Sequence, residues 1–119
     1  MIPNCKKRSY VEISGTSTYD WDTIMNTLTN NTVVAIKIDG ENKSNGKNAM
    51  NRNGAPNDSG IAKWGALICI KGSNSLYSCA QIYIPDTKST SNSSIYFRTL
   101  NSATNMWKKI SNVTFVTPV

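Results

Sequence analysis

The residues of this chain whose types and spacing could do chemistry are its carboxylates and cysteines, because histidine is absent. Without an imidazole, Ser-His-Asp and Cys-His arrangements cannot form, which removes nucleophilic catalysis of that kind. Seven acids remain: Glu12, Asp20, Asp22, Asp39, Glu41, Asp58 and Asp86. Asp39 and Glu41 stand at i and i+2, so an extended segment carries both on one side, a spacing open to a glycosidase-type pair. They also sit where a strand runs into a loop, where solvated acids are ordinary, and the reading favoured is that the chain is not an enzyme. Cys5, Cys69 and Cys79 include no C-x-x-C pair, which together with the missing histidine argues against zinc. The odd count argues against a disulfide framework. Cys69 and Cys79 fall on two neighbouring strands and could face each other; the preferred reading is two small buried hydrophobes. There is neither a glycine-rich phosphate cradle nor a calcium-binding loop, so no cofactor or metal is expected.

The net charge is +6, with Lys and Arg spread along the chain. Such a surface suits anionic partners, either nucleic acid or the phosphate- and carboxylate-bearing polymers of cell walls and capsules. Lys6-Lys7-Arg8 is the dense basic run, and it reads as a solvated arm. Aromatic and basic residues do not interleave as in single-strand binders, so nucleic acid is the less favoured partner. Met1-Ile2-Pro3-Asn4 is not followed by an apolar region, and no run approaches the roughly 20 apolar residues of a membrane span. The expectation is a protein made in the cytoplasm and not inserted in a membrane.

The elements that must position these residues are mostly strands. Asn, Ser and Thr fill about a third of the 119 residues while charged residues make up 17%. Their side chains compete for backbone hydrogen bonds and favour turns and short strands over helices. One helix is expected over Tyr19–Leu28, where Trp21, Ile24, Met25 and Leu28 at i, i+3, i+4 and i+7 make one face and Thr18 or Asp20 can cap the start. Strands are expected at Thr32–Ile38, Trp64–Lys71, Ser78–Ile84, Ile95–Thr99, Met106–Ile110 and Val113–Val116, with a turn at Gly72–Ser75. Tyr10–Ser14 alternates and reads as an edge strand or connector. From Asp39 to Lys63 the chain loses apolar periodicity, and a loop of that length is a first candidate for ligand contact. The fold class expected is mainly β (α+β), a small antiparallel sheet with one short N-terminal helix packed on it. Residues 1–15 form an N-terminal arm or connector strand and residues 16–119 a single domain.

The order of these pieces resembles one known family. Asp20-Trp21-Asp22-Thr23-Ile24 opens it; Trp64-Gly65-Ala66-Leu67-Ile68-Cys69-Ile70, Gln81-Ile82-Tyr83-Ile84 and Ile95-Tyr96-Phe97-Arg98-Thr99 follow; Trp107-Lys108-Lys109-Ile110 closes it. From Tyr19 to Ile110 this is similar to the pyocin-knob-type domain of bacteriophage tail fibres and phage-tail-like bacteriocins. The closing motif here has a single tryptophan, with Thr104 three positions before Trp107. The resemblance implies a non-enzymatic structural protein of the virion: a fibre knob that mediates host attachment by binding a surface glycan. The alternative it leaves open is a purely structural head-fibre, collar or adaptor protein without a receptor of its own. It also implies a homotrimer, other phage fibre, tail or head proteins as partners, and bacterial surface polysaccharide as ligand. Trp21, Ile24, Gln81, Arg98, Trp107 and Ile110 match the family signature and read as scaffold. For a glycan, Lys43, Lys47 and Arg52 on the long loop and Tyr77, Tyr83 and Tyr96 on strands and turns are the candidates, as cations and as flat aromatic faces.

Overall fold

The computed structural model describes residues 11–73, 78–87, 94–100 and 106–111. Six strands form one sheet in the order β1-β2-β3-β4-β5-β6. They are β1 (Glu12–Ile13), β2 (Thr32–Ile38), β3 (Gly65–Lys71), β4 (Cys79–Pro85), β5 (Ile95–Leu100) and β6 (Lys108–Ile110). The domain is mostly β, as its composition suggests. The sheet is not wholly antiparallel, however. β2 to β6 form an antiparallel meander, while β1 pairs with β2 in parallel through Glu12 opposite Lys37 and Ile13 opposite Ile38. A parallel pair needs a crossover connection, and that requirement carries residues 14–31 across one face of the sheet.

The crossover holds a short helix, of a different kind and length from the α-helix expected over Tyr19–Leu28. It is a five-residue 3₁₀ helix, Thr23–Thr27. Thr23, Asn26 and Thr27 are weak α-helix formers, and the Thr27 hydroxyl donates to the Ile24 carbonyl at 2.7 Å, competing with longer-range backbone bonds. Asp20 Oδ1 accepts from the backbone N–H groups of Asp22 and Thr23 at 3.0 and 2.8 Å, which fixes the entry to the turn. Lys71 Nζ on β3 donates to the carbonyls of Met25 and Leu28 at 3.1 and 2.9 Å and closes the exit. The apolar face read from the sequence is used: Trp21, Ile24 and Met25 are buried, and Leu28 packs against the same core.

Period-2 alternation decides which strand residues meet that core. Ile36 on β2 stands opposite Leu67, which stands opposite Tyr83, which stands opposite Tyr96. The neighbouring row runs Val34, Cys69, Gln81, Arg98. Every buried residue described on β2 to β6 lies on this side, including Ile38, Cys79 and Pro85. Cys69 and Cys79 are buried and in no disulfide, and burial pushes the Cys69 thiol up to about 12.

The long segment between β2 and β3 is not a surface excursion. It contains 3₁₀ turns at Ser44–Gly46 and Ala49–Asn51 and lies over the core beside the crossover. Asparagine side chains replace regular structure in satisfying its backbone. Asn48 accepts from the Met50 N–H, its own N–H donates to Asn51 Oδ1, both at 2.8 Å, and its amide bonds Asn42. Ala49 is buried, and Met50, Ala55 and Ile61 pack on the core. Residues Val113–Val116 and Tyr77, and Asn74 and Ser75 of the expected turn at Gly72–Ser75, lie outside the described residues. Among the described residues no helix is long and apolar enough to cross a membrane.

Candidate ligand-binding cleft

Three places bring polar chemistry together. The first is internal. Arg98 on β5 is 2% exposed, and its guanidinium bonds Asp22 Oδ1 at 2.8 Å and Gln81 Oε1 at 2.9 Å while lying 4.6 Å from the ring centre of Trp107. The Gln81 amide donates onward to the Trp21 carbonyl. Trp21 meets Tyr83 and Trp107 edge-on, at centroid distances of 5.2 and 5.8 Å. Its indole N–H donates to the Ala49 carbonyl at 2.8 Å, and that of Trp107 to the Gly54 carbonyl at 2.7 Å. Gly54 has φ +84°, and a Cβ there would lie 2.3 Å from Asp22 Oδ1, so the loop can approach the ion pair only as glycine. Burial pulls the Arg98 pKa down and Asp22 pulls it back up. Among the described residues no buried side-chain polar atom lacks a partner. This cluster is saturated, which suits cementing crossover, loop and sheet together and leaves nothing for a ligand.

Trp21, Gln81, Arg98 and Trp107 therefore meet around one point, and Ile24 is buried in the hydrophobic core. Ile110 does not join them: it lies on β6 opposite Ile95, 45% exposed.

The second place is open to solvent. Where β2 ends and β3 begins, Gly40, Glu41 and Asn42 form one wall of a cleft of about 520 Å³, Ile61 to Trp64 form the other, and Asp86 closes the end beyond β4. The Trp64 side of this cleft is aromatic and 48% exposed, which is unusual for so large an apolar group. Its backbone is held from both directions. The buried Tyr83 hydroxyl donates to the carbonyls of Ala62 and Trp64 at 2.6 and 3.1 Å, and Asp86 N–H donates to the Trp64 carbonyl at 2.8 Å. Gly40 lets the walls touch, since a Cβ there would sit 2.4 Å from the Cβ of Lys63. Asp39 is anchored through its N–H to the Ile13 carbonyl at 2.8 Å, and its Oδ1 accepts the Glu41 N–H at 2.9 Å. That backbone bond, with Lys43 nearby, holds the Asp39 carboxyl below its usual value.

A smaller cleft of about 210 Å³ lies between Pro56–Asp58, Tyr96, Trp107 and Lys109. Three of its polar groups are paired with one another. Lys109 Nζ lies 2.8 Å and the Tyr96 hydroxyl 2.6 Å from Asp58 Oδ2.

The glycan candidates read from the sequence are placed differently from expectation. Tyr83 and Tyr96 were expected as exposed faces, but both are buried, 0% and 3% exposed, because their strand parity turns them into the core. Lys43 is tied to Glu41 at 3.1 Å and Asp39 at 3.5 Å. Arg52 spends a guanidinium nitrogen on the Ser17 carbonyl at 2.6 Å. Lys47 is exposed at the rim of the loop, and Tyr77 lies outside the described residues. Sequence reasoning missed Trp64 because it precedes an apolar strand and reads as part of it. The available signal was the polar context on its N-terminal side, Asp58-Ser59-Gly60 through Lys63.

No family model matches this chain, nor does any curated protein or solved structure.

Proposed function

We propose that this protein is a non-enzymatic virion component, the knob domain of a phage tail fibre, and that it attaches to the host by seating a surface glycan on Trp64. The fibre part of this reading rests on the order of sequence motifs from Asp20 to Ile110. The binding part rests on one observation, the half-exposed indole of Trp64 set in a cleft with the carboxylates of Glu41 and Asp86 and the amide of Asn42. A pyranose presents an apolar face and a rim of hydroxyls; an exposed aromatic ring takes the first and amides and carboxylates take the second. With two acids and one lysine, Lys63, on its walls, the cleft suits a neutral or amino sugar better than an anionic polymer, although the chain as a whole is basic. The Asp39 carboxyl, held below its usual value by the Glu41 N–H and by Lys43, does not suit the proton-donating role in a glycosidase pair.

The test is a glycan array followed by titration of intrinsic tryptophan fluorescence. Trp64→Ala is expected to abolish binding of the sugars found while leaving the unfolding midpoint nearly unchanged. Full binding by that variant would reject the cleft as the site. The second reading, a head-fibre, collar or adaptor protein without a receptor, is favoured by the apolar side chains that the described strands turn away from the core, Val33 and Ile84 among them, and a blank array in a particle that still needs the protein would select it.

A further inference from the structure

The cleft beside Trp64 does not end at Asp86. Ile61, Ala62 and Asp86 also line a recess of about 10 Å³, the size of one water, which Tyr96 lines as well. Tyr96 in turn lines the 210 Å³ cleft that holds Asp58, Trp107 and Lys109. One run of chain, from Pro56 to Trp64, therefore walls all three. Gly60, at φ +75°, turns this run beside the recess and puts no side chain into the passage; a Cβ there would meet nothing within 4 Å. At the far end the groups are fixed yet reachable. Arg98 lies 4.6 Å from the ring centre of Trp107, and Gly54 takes the indole N–H, so the half-buried ring is held in place. Tyr96 and Lys109 both bond Asp58 Oδ2, at 2.6 and 2.8 Å, while the side chains of Asp58 and Lys109 stay 32% and 37% exposed. Those bonds, that of Lys109 first, keep the Asp58 carboxyl charged at neutral pH. It meets a ligand hydroxyl as an acceptor, and the Lys109 ammonium meets one as a donor. The far cleft thus repeats the composition of the first, an aromatic ring with polar groups set around it.

We infer that the ligand is a chain of sugars lying along this groove, with a second subsite formed by Trp107, Asp58 and Lys109. The inference rests on the glycan reading of the Trp64 cleft and extends it. Trp64 precedes β3 and Trp107 precedes β6, and the strand order puts three strand spacings between them, about 14 Å. One sugar ring does not cover that distance. The recess between the clefts is too small to seat a ring, but it lies where the link between rings passes. A lone terminal sugar would use the Trp64 cleft and leave the second aromatic ring, with its ordered acid and ammonium, untouched. A chain uses both. Once its first ring is seated on Trp64, a later ring is held near Trp107 at high effective concentration, so two weak seats give one stronger site.

The test titrates the full chain by calorimetry with ladders of N-acetylglucosamine, glucose and galactose oligomers, from the monosaccharide to the hexasaccharide. For the sugar that binds, affinity is expected to rise by about tenfold or more between the monosaccharide and the tetrasaccharide. Lys109→Ala, at a partly exposed position on the short strand β6, is expected to remove most of that gain, with circular dichroism checking the fold. Trp64→Ala lowers affinity at every length. Trp64→Phe keeps a flat ring in the first cleft and leaves Trp107 as the accessible indole, since Trp21 is fully buried. Its emission should shift with the tetrasaccharide and not with the monosaccharide. Affinity that does not change with length, while Trp64→Ala still abolishes binding, would overturn the second subsite and leave the Trp64 reading standing. So would a gain with length that Lys109→Ala leaves whole and that never reaches the Trp107 emission. Binding by none of the ladders, or binding that Trp64→Ala leaves intact, would overturn both.

Discussion

Replacing Arg98 by methionine tests whether the buried ion pair holds the two layers together. The side chain is 1% exposed and has two identified oxygen partners, Asp22 Oδ1 and Gln81 Oε1, with the Trp107 ring beneath it. Methionine keeps most of the volume, so cavity formation is a minor term. Gln81 Oε1 would be left buried and unbonded, at a cost of about 1–3 kcal/mol. Loss of the cation over Trp107 adds about 1 kcal/mol. The unpaired Asp22 carboxylate costs less than a fully buried one, because its side chain is 39% exposed and can turn to water. Relief of the guanidinium's own desolvation offsets part of the sum. The net expectation is a loss of about 3 kcal/mol, the low end of what breaking one side of a buried pair costs. Near about 4 °C per kcal/mol for a chain of this length, the melting temperature falls by about 12 °C. In urea the midpoint falls by about 1.5 M for a slope near 2 kcal/mol/M. Trp21 and Trp107 flank the site, so fluorescence reports the transition directly. Asp22→Asn alone is expected to cost about 1 kcal/mol, and the double variant less than the sum of the two singles. A loss below about 1 kcal/mol in Arg98→Met, or strict additivity with Asp22→Asn, would refute the view that this network carries the packing of loop and crossover on the sheet.

Two further outcomes follow from the same contacts. The carboxyls of Asp20, Asp39 and Asp58 are all held below the ordinary value of 3.8: at Asp20 burial works upward but the bonds from Thr23 and Asp22 outweigh it, at Asp39 the Glu41 N–H leads, and at Asp58 the bonds from Lys109 and Tyr96 lead. Depressed folded values mean that their stabilisation is complete above 3.8 and disappears as the pH falls through them, so melting temperatures should be flat near neutrality and drop between about pH 5 and 2, a drop that Asp58→Asn makes shallower in a thermal scan. Tyr83→Phe removes the hydroxyl that bonds the Ala62 and Trp64 carbonyls; it should cost about 1–2 kcal/mol in urea unfolding and weaken sugar binding at Trp64, and unchanged affinity would show that the hydroxyl does not position the indole.

The strands were legible in the sequence because their signal is local. A β-branched or aromatic run with period 2 can form only an extended ladder, and Thr32–Ile38 appears with the expected ends. The core face of the crossover was legible for the same reason, as Trp21, Ile24, Met25 and Leu28 pack whether the turn is α or 3₁₀. The helix type was not, because five residues bounded by Asp20 and Asn30–Asn31 are governed by side-chain bonds to the backbone rather than by propensity.

What the sequence by itself determined is a small β domain with a basic surface, no imidazole chemistry, and paired alternating faces on each strand. It did not say which face turns inward. On β4 the aliphatic set Ala80, Ile82 and Ile84 looks like the core, yet Cys79, Gln81, Tyr83 and Pro85 are the buried ones. Only the tertiary structure decided this, because the choice depends on what arrives from elsewhere in the chain: Arg98 and Asp22 to satisfy Gln81, the carbonyls of Ala62 and Trp64 to satisfy Tyr83. A polar group is buried where distant partners meet it. The same choice turns Tyr83 and Tyr96 away from solvent and leaves Ile84 and Ile95 facing outward.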